Sequence, residues 1–326
     1  MTETPTVCVL HAGTYPDAIT EIERHARVRY ADEDQLAEAL PGAEALFIWA
    51  FRSEALARAW SRADALSWVH SASAGVDRLL FPDLADSPVP VTNSRGVFDQ
   101  PMAEYVLATV LAMAKDLPTT LRLQDRGQWQ HRVTERVAGK RALVVGTGPI
   151  GRAIAAQLRA AGLSVTGAGR RARTGDPDFG TVHASDAITE VLGEVDFLVL
   201  AAPLTPQTQG LVDAATLAHC KPTARLINVG RGELVVQEDL VEALQAGQLA
   251  GACLDVFDTE PLPGASPLWQ MPGVIVSPHM SGDTVGWTED LVGLFLDNLD
   301  RRARGQELRN VVDKQRGYVT DDPAGA

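Results

Sequence analysis

Cysteine is scarce in this chain of 326 residues: Cys8, Cys220 and Cys253 are an odd number with no CxxC spacing. That excludes a disulfide framework and a thiolate metal site, and it predicts buried thiols in a reducing compartment. Positive charge is also short. Lys and Arg number 29 against 42 Asp and Glu, a formal charge of -13, so the overall field repels nucleic acid and anionic membranes alike. No apolar run approaches the length of a membrane span. The opening "MTETPTVCVL" has no basic head before its apolar run, which predicts no signal peptide and a cytoplasmic location. Internal repeats and low-complexity tracts are absent as well. What remains is a chain long enough for two α/β domains. Its 45% hydrophobic and 22% charged residues are those of an ordinary soluble globular protein.

The first hundred residues alternate short apolar runs with helical stretches. Val7–Leu10, Ala45–Ala50 and Leu66–Ser71 read as strands, and Asp32–Leu40 as a connecting helix. The proline-rich Phe81–Val91 reads as a loop. Asp99–Leu117 reads as a long helix with Pro101 in its first turn. Being apolar nearly all round, it should be buried. The polar segment Arg122–Arg136 that follows should be exposed except for Trp129, which would be covered by a second subunit or by its own domain. From Lys140 the rhythm becomes a clean strand–helix alternation. Candidate strands are Ala142–Gly146, Ser164–Ala168, Asp196–Ala201, Ala224–Val229, Gly251–Val256 and Val274–Ser277, with helices such as Ile150–Gly162 and Gln237–Gly247 between them. Near-continuous apolar strands separated by helices predict parallel sheet covered on both faces. A last helix, Asp290–Gly305, leads to a polar tail expected to fray after Tyr318.

Chemistry concentrates at the ends of these strands. Gly146-Thr147-Gly148-Pro149-Ile150-Gly151 follows an apolar strand and opens a helix. In that context a GxGxxG turn lets backbone N–H groups approach a dinucleotide pyrophosphate at the positive helix terminus; glycines also serve plain turns. An NAD site usually places an acid about 20 residues beyond such a turn, to hold the adenosine ribose. Here stand Gly169, Arg170 and Arg171, with Arg173 close behind, while Asp176 and Asp178 come too late. Guanidinium groups offer bidentate donors to the 2'-phosphate that a carboxylate would repel, so NADP(H) is expected to be preferred and NAD(H) tolerated. The competing account is a solvated surface cluster. Next, Leu226–Val235 ("LINVGRGELV") puts Arg231 between two glycines at a strand's carboxyl end, where an arginine meets an anion or a structural carboxylate. Last, Leu254–Gly282 carries Asp255 at one strand end, Glu260 in the following loop and His279 after another strand. A Glu–His pair is an ordinary proton donor, since the carboxylate orients the imidazole and favours its charged form.

Over Lys140–Gly282 the chain resembles the D-isomer-specific 2-hydroxyacid dehydrogenases. "GTGPIG", "PLTPQTQGLV", "LINVGRGELV", "LDVFDTEPLP" and "SPHMSG" occur in family order and at family-like spacing. Earlier in the chain "SASAGVD" and "NSRGVFDQPMAEYVL" extend the likeness, and "VVDKQRGY" near the C-terminus is similar to the glyoxylate/hydroxypyruvate reductase branch. The resemblance implies an α/β protein of two Rossmann-like, doubly wound parallel-sheet domains. The substrate domain would be split across both chain ends (1–98 with 290–326) around a dinucleotide-binding domain (99–289), with hinge closure between them. It implies Arg231, Glu260 and His279 as catalytic residues and Asp255 near the nicotinamide carboxamide. Ala202, Pro203, Leu204 and Thr208 would lie over the cofactor, and Val229, Gly230, Ser281 and Gly282 would complete its site. Ser71, Ala72, Ser73, Ala74 and Gly75 would bind the substrate carboxylate, with Trp49, Ala50, Phe51, Met102 and Trp287 setting specificity. It implies a homodimer as well.

The expected reaction is reduction of a small 2-oxo acid to the D-2-hydroxy acid. Arg231 would hold the carboxylate and polarise the carbonyl, and His279 would protonate the developing alkoxide. Two other readings share these residues: a nucleotide-sensing, corepressor-like binding protein, and a dehydrogenase of another small anion such as phosphite. A sensor has no need of a proton donor. Formate enzymes of the family typically place Gln where Glu260 stands.

Overall fold

The computed structural model describes residues 4–320, so the end of the tail expected to fray, 321–326, and residues 1–3 lie outside the described residues. Two compact units divide the chain. One takes the residues up to Val97 and those from Thr284 onward, and the other is Phe98–Asp283. No helix among the described residues is long and apolar enough to cross a membrane.

In the first unit, β1 (Thr6–Leu10), β2 (Arg27–Ala31), β3 (Ala45–Ile48), β4 (Trp68–Ser71) and β5 (Val91–Thr92) form a parallel sheet in the order β2-β1-β3-β4-β5. β1, β3 and β4 are buried along their whole length, as a sheet covered on both faces requires. Leu10, Leu46, Ile48 and Val69 pack on one face. On the other, Phe295 stacks on Phe47 and Trp68 with ring centroids 4.5 and 4.9 Å apart. Phe295 belongs to the helix Trp287–Ala303, so the aromatic stack is one tie between the far end of the chain and this sheet, beside the bridge of Thr92 with Val311. Phe81–Val91 is not the plain loop its prolines suggested. Pro82 opens a short helix, Pro82–Asp86, because its fixed φ suits a first turn. Lys314 donates to the carbonyl of Leu84 within it and to those of Ser87 and Val89 beyond it.

In the second unit, β6 (Arg141–Val145), β7 (Ser164–Gly169), β8 (Arg173–Asp176), β9 (Gly180–Ala184), β10 (Phe197–Leu200), β11 (Arg225–Asn228), β12 (Gly251–Leu254) and β13 (Val274–Val276) form one sheet. Its order is β13-β12-β11-β10-β6-β7-β9-β8, parallel throughout except for β8 against β9. This is the doubly wound dinucleotide-binding order, with its reversal between β6 and β10. The helices Asp99–Ala114 and Pro149–Ala160 bury Val106, Val110, Ile154 and Leu158 on one face. Leu240 of the helix Gln237–Gln245 packs on the other.

The expected single helix to Leu117 breaks after Ala114. Asp116 takes a left-handed turn (φ 49°) and a second helix, Leu117–Asp125, begins. Beyond it Trp129 and Val133 are fully exposed on the single chain. Trp129 is therefore not folded onto its own domain.

Candidate active site

The glycine turn sits at the carboxyl end of β6, beside the end of β10 where strand order reverses. Gly146 has φ 109°, and a Cβ on it would stand 2.5 Å from the Ala201 carbonyl oxygen. A Cβ on Gly151 would meet the Gly146 oxygen at 1.9 Å, so the helix can begin this close to the strand only with glycine there. Gly148, the residue before the first helical turn, is different: a Cβ on it would meet nothing within 4 Å. Two glycines close the turn and the third leaves it open. That suits a pyrophosphate on the helix N-terminus, with Thr147, Pro149 and Ile150 completing the turn. Close packing recurs next door. A Cβ on Gly230, at the end of β11, would lie 2.9 Å from the Ala202 oxygen, and Val229 donates to Leu200. The loop after β10 is self-braced, with Thr208 Oγ1 donating to the Pro203 oxygen (2.7 Å) and accepting from the Thr205 amide (2.8 Å). Leu204 packs against the core from that loop.

The arginines at the end of β7 separate into two kinds. Arg170 and Arg171 are exposed where the chain leaves Gly169. Arg173 is turned onto Asp176, with Nε and Nη2 at 2.9 and 2.8 Å from Oδ2. Arg152, from the helix of the glycine turn, grips the same buried carboxylate at 3.0 and 3.2 Å. Burial pushes the Asp176 carboxyl up, but the two guanidinium groups and the amides of Asp178 and Phe179 outweigh it and hold it well below the usual range. Asp176 is thus spent on ion pairs, and Arg173 belongs to that knot more than to the open end of β7.

Arg231 follows β11 in an extended conformation. Asn228, buried and absent from the sequence reading, sets it: Nδ2 donates to the Arg231 carbonyl (2.8 Å) and Oδ1 accepts from the Gly230 amide (3.1 Å). The next glycine is demanded by contact, since a Cβ on Gly232 would lie 1.9 Å from the Phe257 carbonyl carbon. The structure brings Glu260 and His279 together. His279 Nδ1 is 2.9 Å from Glu260 Oε2, and the Phe257 amide donates to Oε1 at 2.9 Å. A carboxylate can only accept, so Nδ1 carries the proton and Nε2 is the nitrogen left for chemistry. His279 itself is left-handed (φ 56°), a conformation unusual for a residue with a Cβ.

Asp255 underlies that turn. Fully buried, it accepts from Ser277 Oγ (2.6 Å) and the Met280 amide (2.9 Å) at Oδ1, and from the Ser281 amide (2.9 Å) at Oδ2. The described bonds of its carboxylate all go to the loop that carries His279. Gly282 follows under Phe98, whose ring would be 2.7 Å from an added Cβ. Asp283, also missed in the sequence, has its carboxyl raised by burial, an effect that His279 opposes and Asp255 reinforces.

The loop Ser71–Gly75 lies in the first unit, at the carboxyl end of β4. Its carbonyls are taken from within. Ser94 binds those of Ser71 and Ser73, Asn93 Nδ2 that of Ala74, and Ser73 Oγ that of Gly75. Ala72 donates to Ile48. Among the described residues no acceptor meets the amides of Ala74 and Gly75, so these are the loop's available donors. Trp49, Phe51 and Trp287 cluster in the same unit, Trp287 stacking 5.9 Å from each of the other two. Ala50 is buried beside them in sequence, and Met102 lies in the second unit, on the helix Asp99–Ala114.

Known proteins resemble this chain in sequence and fold. The family described as D-isomer specific 2-hydroxyacid dehydrogenase, NAD binding domain, matches residues 107–281. Glyoxylate/hydroxypyruvate reductase A of Serratia proteamaculans (strain 568) is 32% identical over 259 residues, covering 78% of this chain and 82% of that protein. A D-isomer specific 2-hydroxyacid dehydrogenase of Xanthobacter autotrophicus Py2, solved with NADPH and MES, is 31% identical with a TM-score of 0.81, covering 97% of this chain and 100% of that one. The NADPH-dependent glyoxylate/hydroxypyruvate reductase of Sinorhizobium meliloti, in complex with NADP and sulfate, is 29% identical with a TM-score of 0.83 and the same coverage.

Proposed function

Because the chain belongs to the D-isomer specific 2-hydroxyacid dehydrogenase family, and is thereby an NAD(P)-dependent oxidoreductase, we propose that it reduces a small 2-oxo acid to the D-2-hydroxy acid with NADPH. Acids of the glyoxylate and hydroxypyruvate kind are favoured. The observation that carries the reading is the His279–Glu260 bond of 2.9 Å, which leaves Nε2 as the proton donor. When bound, the reduced nicotinamide supplies the hydride. Arg231 takes the substrate carboxylate and polarises the carbonyl, with Asn228 and Gly232 fixing its backbone. His279 gives its Nε2 proton to the alkoxide as it forms, and Glu260 holds the ring through the transfer. In the first unit, the amides of Ala74 and Gly75 are donors of the kind a carboxylate accepts from.

Cofactor choice rests on the end of β7. Gly148 opens the pyrophosphate position, and Arg170 and Arg171 are the exposed cations where a ribose acid would otherwise stand. The one nearby buried acid, Asp176, is already bound by Arg152 and Arg173. The complexes of the Xanthobacter and Sinorhizobium proteins with NADPH and NADP support the same choice. The reading includes a homodimer in the cytoplasm, supported by the exposed Trp129 and Val133 and by the free cysteines.

The test is loss of reduced-nicotinamide absorbance with glyoxylate, hydroxypyruvate, pyruvate and phenylpyruvate, each with NADPH and with NADH. Turnover with NADPH well above NADH is expected, with glyoxylate and hydroxypyruvate leading. His279→Ala should lower kcat by about 10²–10⁴-fold and leave NADPH binding intact. Turnover with NADH alone would sink the role given to Arg170 and Arg171. Absence of turnover with all four acids would sink the reaction.

A further inference from the structure

Behind the catalytic histidine runs a chain of groups that the reaction does not touch. Tyr105 comes from the helix Asp99–Ala114, Cys253 from β12, and Ser277 from the residue after β13. Tyr105 Oη lies 3.5 Å from Cys253 Sγ and hydrogen-bonds Ser277 Oγ. Ser277 Oγ in turn donates to Asp255 Oδ1 at 2.6 Å. The direction of every bond is fixed by its end. A carboxylate can only accept, so the serine's one proton is spent on Asp255 and its oxygen must accept from Tyr105. The tyrosine's proton is then spent as well, and its oxygen is left to accept from the thiol. Burial pushes the Cys253 thiol up to about 11 and raises the Tyr105 phenol too, so both remain protonated donors.

Asp255 passes this order to the active site. Its Oδ1 and Oδ2 take the amides of Met280 and Ser281, and its own carbonyl takes the amide of His279 at 2.8 Å. Three successive amides are therefore pinned to one buried residue. Such pinning is what lets His279 persist at φ 56°, a conformation that needs its surroundings to over-determine it. Without Ser277, Oδ1 would lose its shortest bond. The carboxylate could then rotate away from Met280.

We propose that Tyr105 and Ser277 are positioning residues for the catalytic histidine: through Asp255 they fix the backbone of His279–Ser281 and so the direction of the proton-donating nitrogen. The inference rests on the reading of His279 as proton donor, and its effect belongs in kcat, because a misdirected donor matters in the transition state and not in substrate binding.

Tyr105→Phe, Ser277→Ala, the double variant and Ser277→Thr decide it in the full-length protein. Hydrogen exchange of the 279–281 amides, followed without substrate, should quicken by about tenfold in Ser277→Ala, which loses a bond to a charged group, and by about threefold in Tyr105→Phe, which loses a neutral one. Over the same variants kcat should fall by about tenfold, with KM and NADPH affinity within about twofold of wild type. The double variant should match the worse single one, since both cut one chain. Ser277→Thr, which keeps the hydroxyl, should behave as wild type in both measurements. Wild-type exchange in both single variants would overturn the proposal, as would faster exchange with kcat unchanged. So would losses that multiply in the double variant. Tyr105→Phe preserves the packing and decides the matter if Ser277→Ala fails to fold. Should wild type reduce none of the acids, the functional reading falls, while the exchange rates still decide whether this chain holds the turn.

Discussion

Within the glycine turn three positions of one residue type do different work, and substitution separates them. Gly146 combines φ 109° with a neighbour at 2.5 Å, the Ala201 carbonyl oxygen. Alanine there is strained twice, by its own backbone and by backbone that cannot yield. Gly146→Ala should cost on the order of 1–3 kcal/mol or more, seen as a lower urea midpoint. Gly148 has an ordinary φ of -76° and open space around its missing side chain. Gly148→Ala should therefore leave the urea midpoint within about 0.5 kcal/mol of wild type. Yet it should weaken NADPH binding by roughly tenfold, because the added methyl stands where the pyrophosphate must approach. If Gly148→Ala binds NADPH as wild type does, this turn is only a turn. The sequence motif names all three glycines alike, and only the neighbours distinguish the structural pair from the functional one.

At the scale of elements, the long apolar strands and the amphipathic helices were legible because burial on both faces writes itself into composition. β6, β10, β11 and β12 match the expected strands to within two residues. The catalytic candidates were legible for a related reason, since Arg231 and His279 stand three residues past the ends of β11 and β13 and Glu260 lies in the loop after β12. The β8–β9 hairpin was not legible. Its first strand, Arg173–Asp176, is polar and lies at the sheet edge, so no apolar period marks it. What holds it is the ion-pair knot of Asp176 with Arg152 and Arg173, formed across 24 residues in one case. Asn228, Tyr105 and Ser277 were missed likewise, because a hydrogen bond between distant elements leaves no local pattern. The knot makes a pH prediction. The folded Asp176 carboxyl is held below its unfolded value, taken as about 3.9, so its contribution is complete above that pH and is lost as the pH falls through the folded value. Asp176→Asn should lower stability by roughly 2 kcal/mol near neutrality, measured by urea unfolding. The gap from wild type should close as the pH drops below about 4. A gap that stays constant into acid would mean the carboxylate's charge contributes nothing.

For the molecule as a whole, the two units should respond differently to mild acid. His70 lies at the centre of the first unit, wholly buried, with Nδ1 2.7 Å from Thr92 Oγ1 and its ring among Phe47, Trp68 and Phe295. Burial pushes its imidazole down to about 3, so the fold holds it neutral. The unfolded chain takes up that proton near pH 6.5. Between those values the unfolded state binds more protons, and stability falls as the pH falls, by up to about 1.4 kcal/mol per pH unit. The second unit has the opposite tendency over part of this range. Asp176 weakens it only below about pH 4, and the raised carboxyl of Asp283 takes up its proton more readily in the folded state, so acid favours that fold. Limited proteolysis from pH 7 down to pH 4.5, with a protease active across that span, should therefore open sites in residues 4–97 and 284–320 before sites within 98–283. In His70→Gln, whose amide can still bond to Thr92 but has no proton to gain, the early acid loss should flatten. Equal loss of protection in both units, or an unchanged slope in the glutamine variant, would place the acid sensitivity elsewhere than His70.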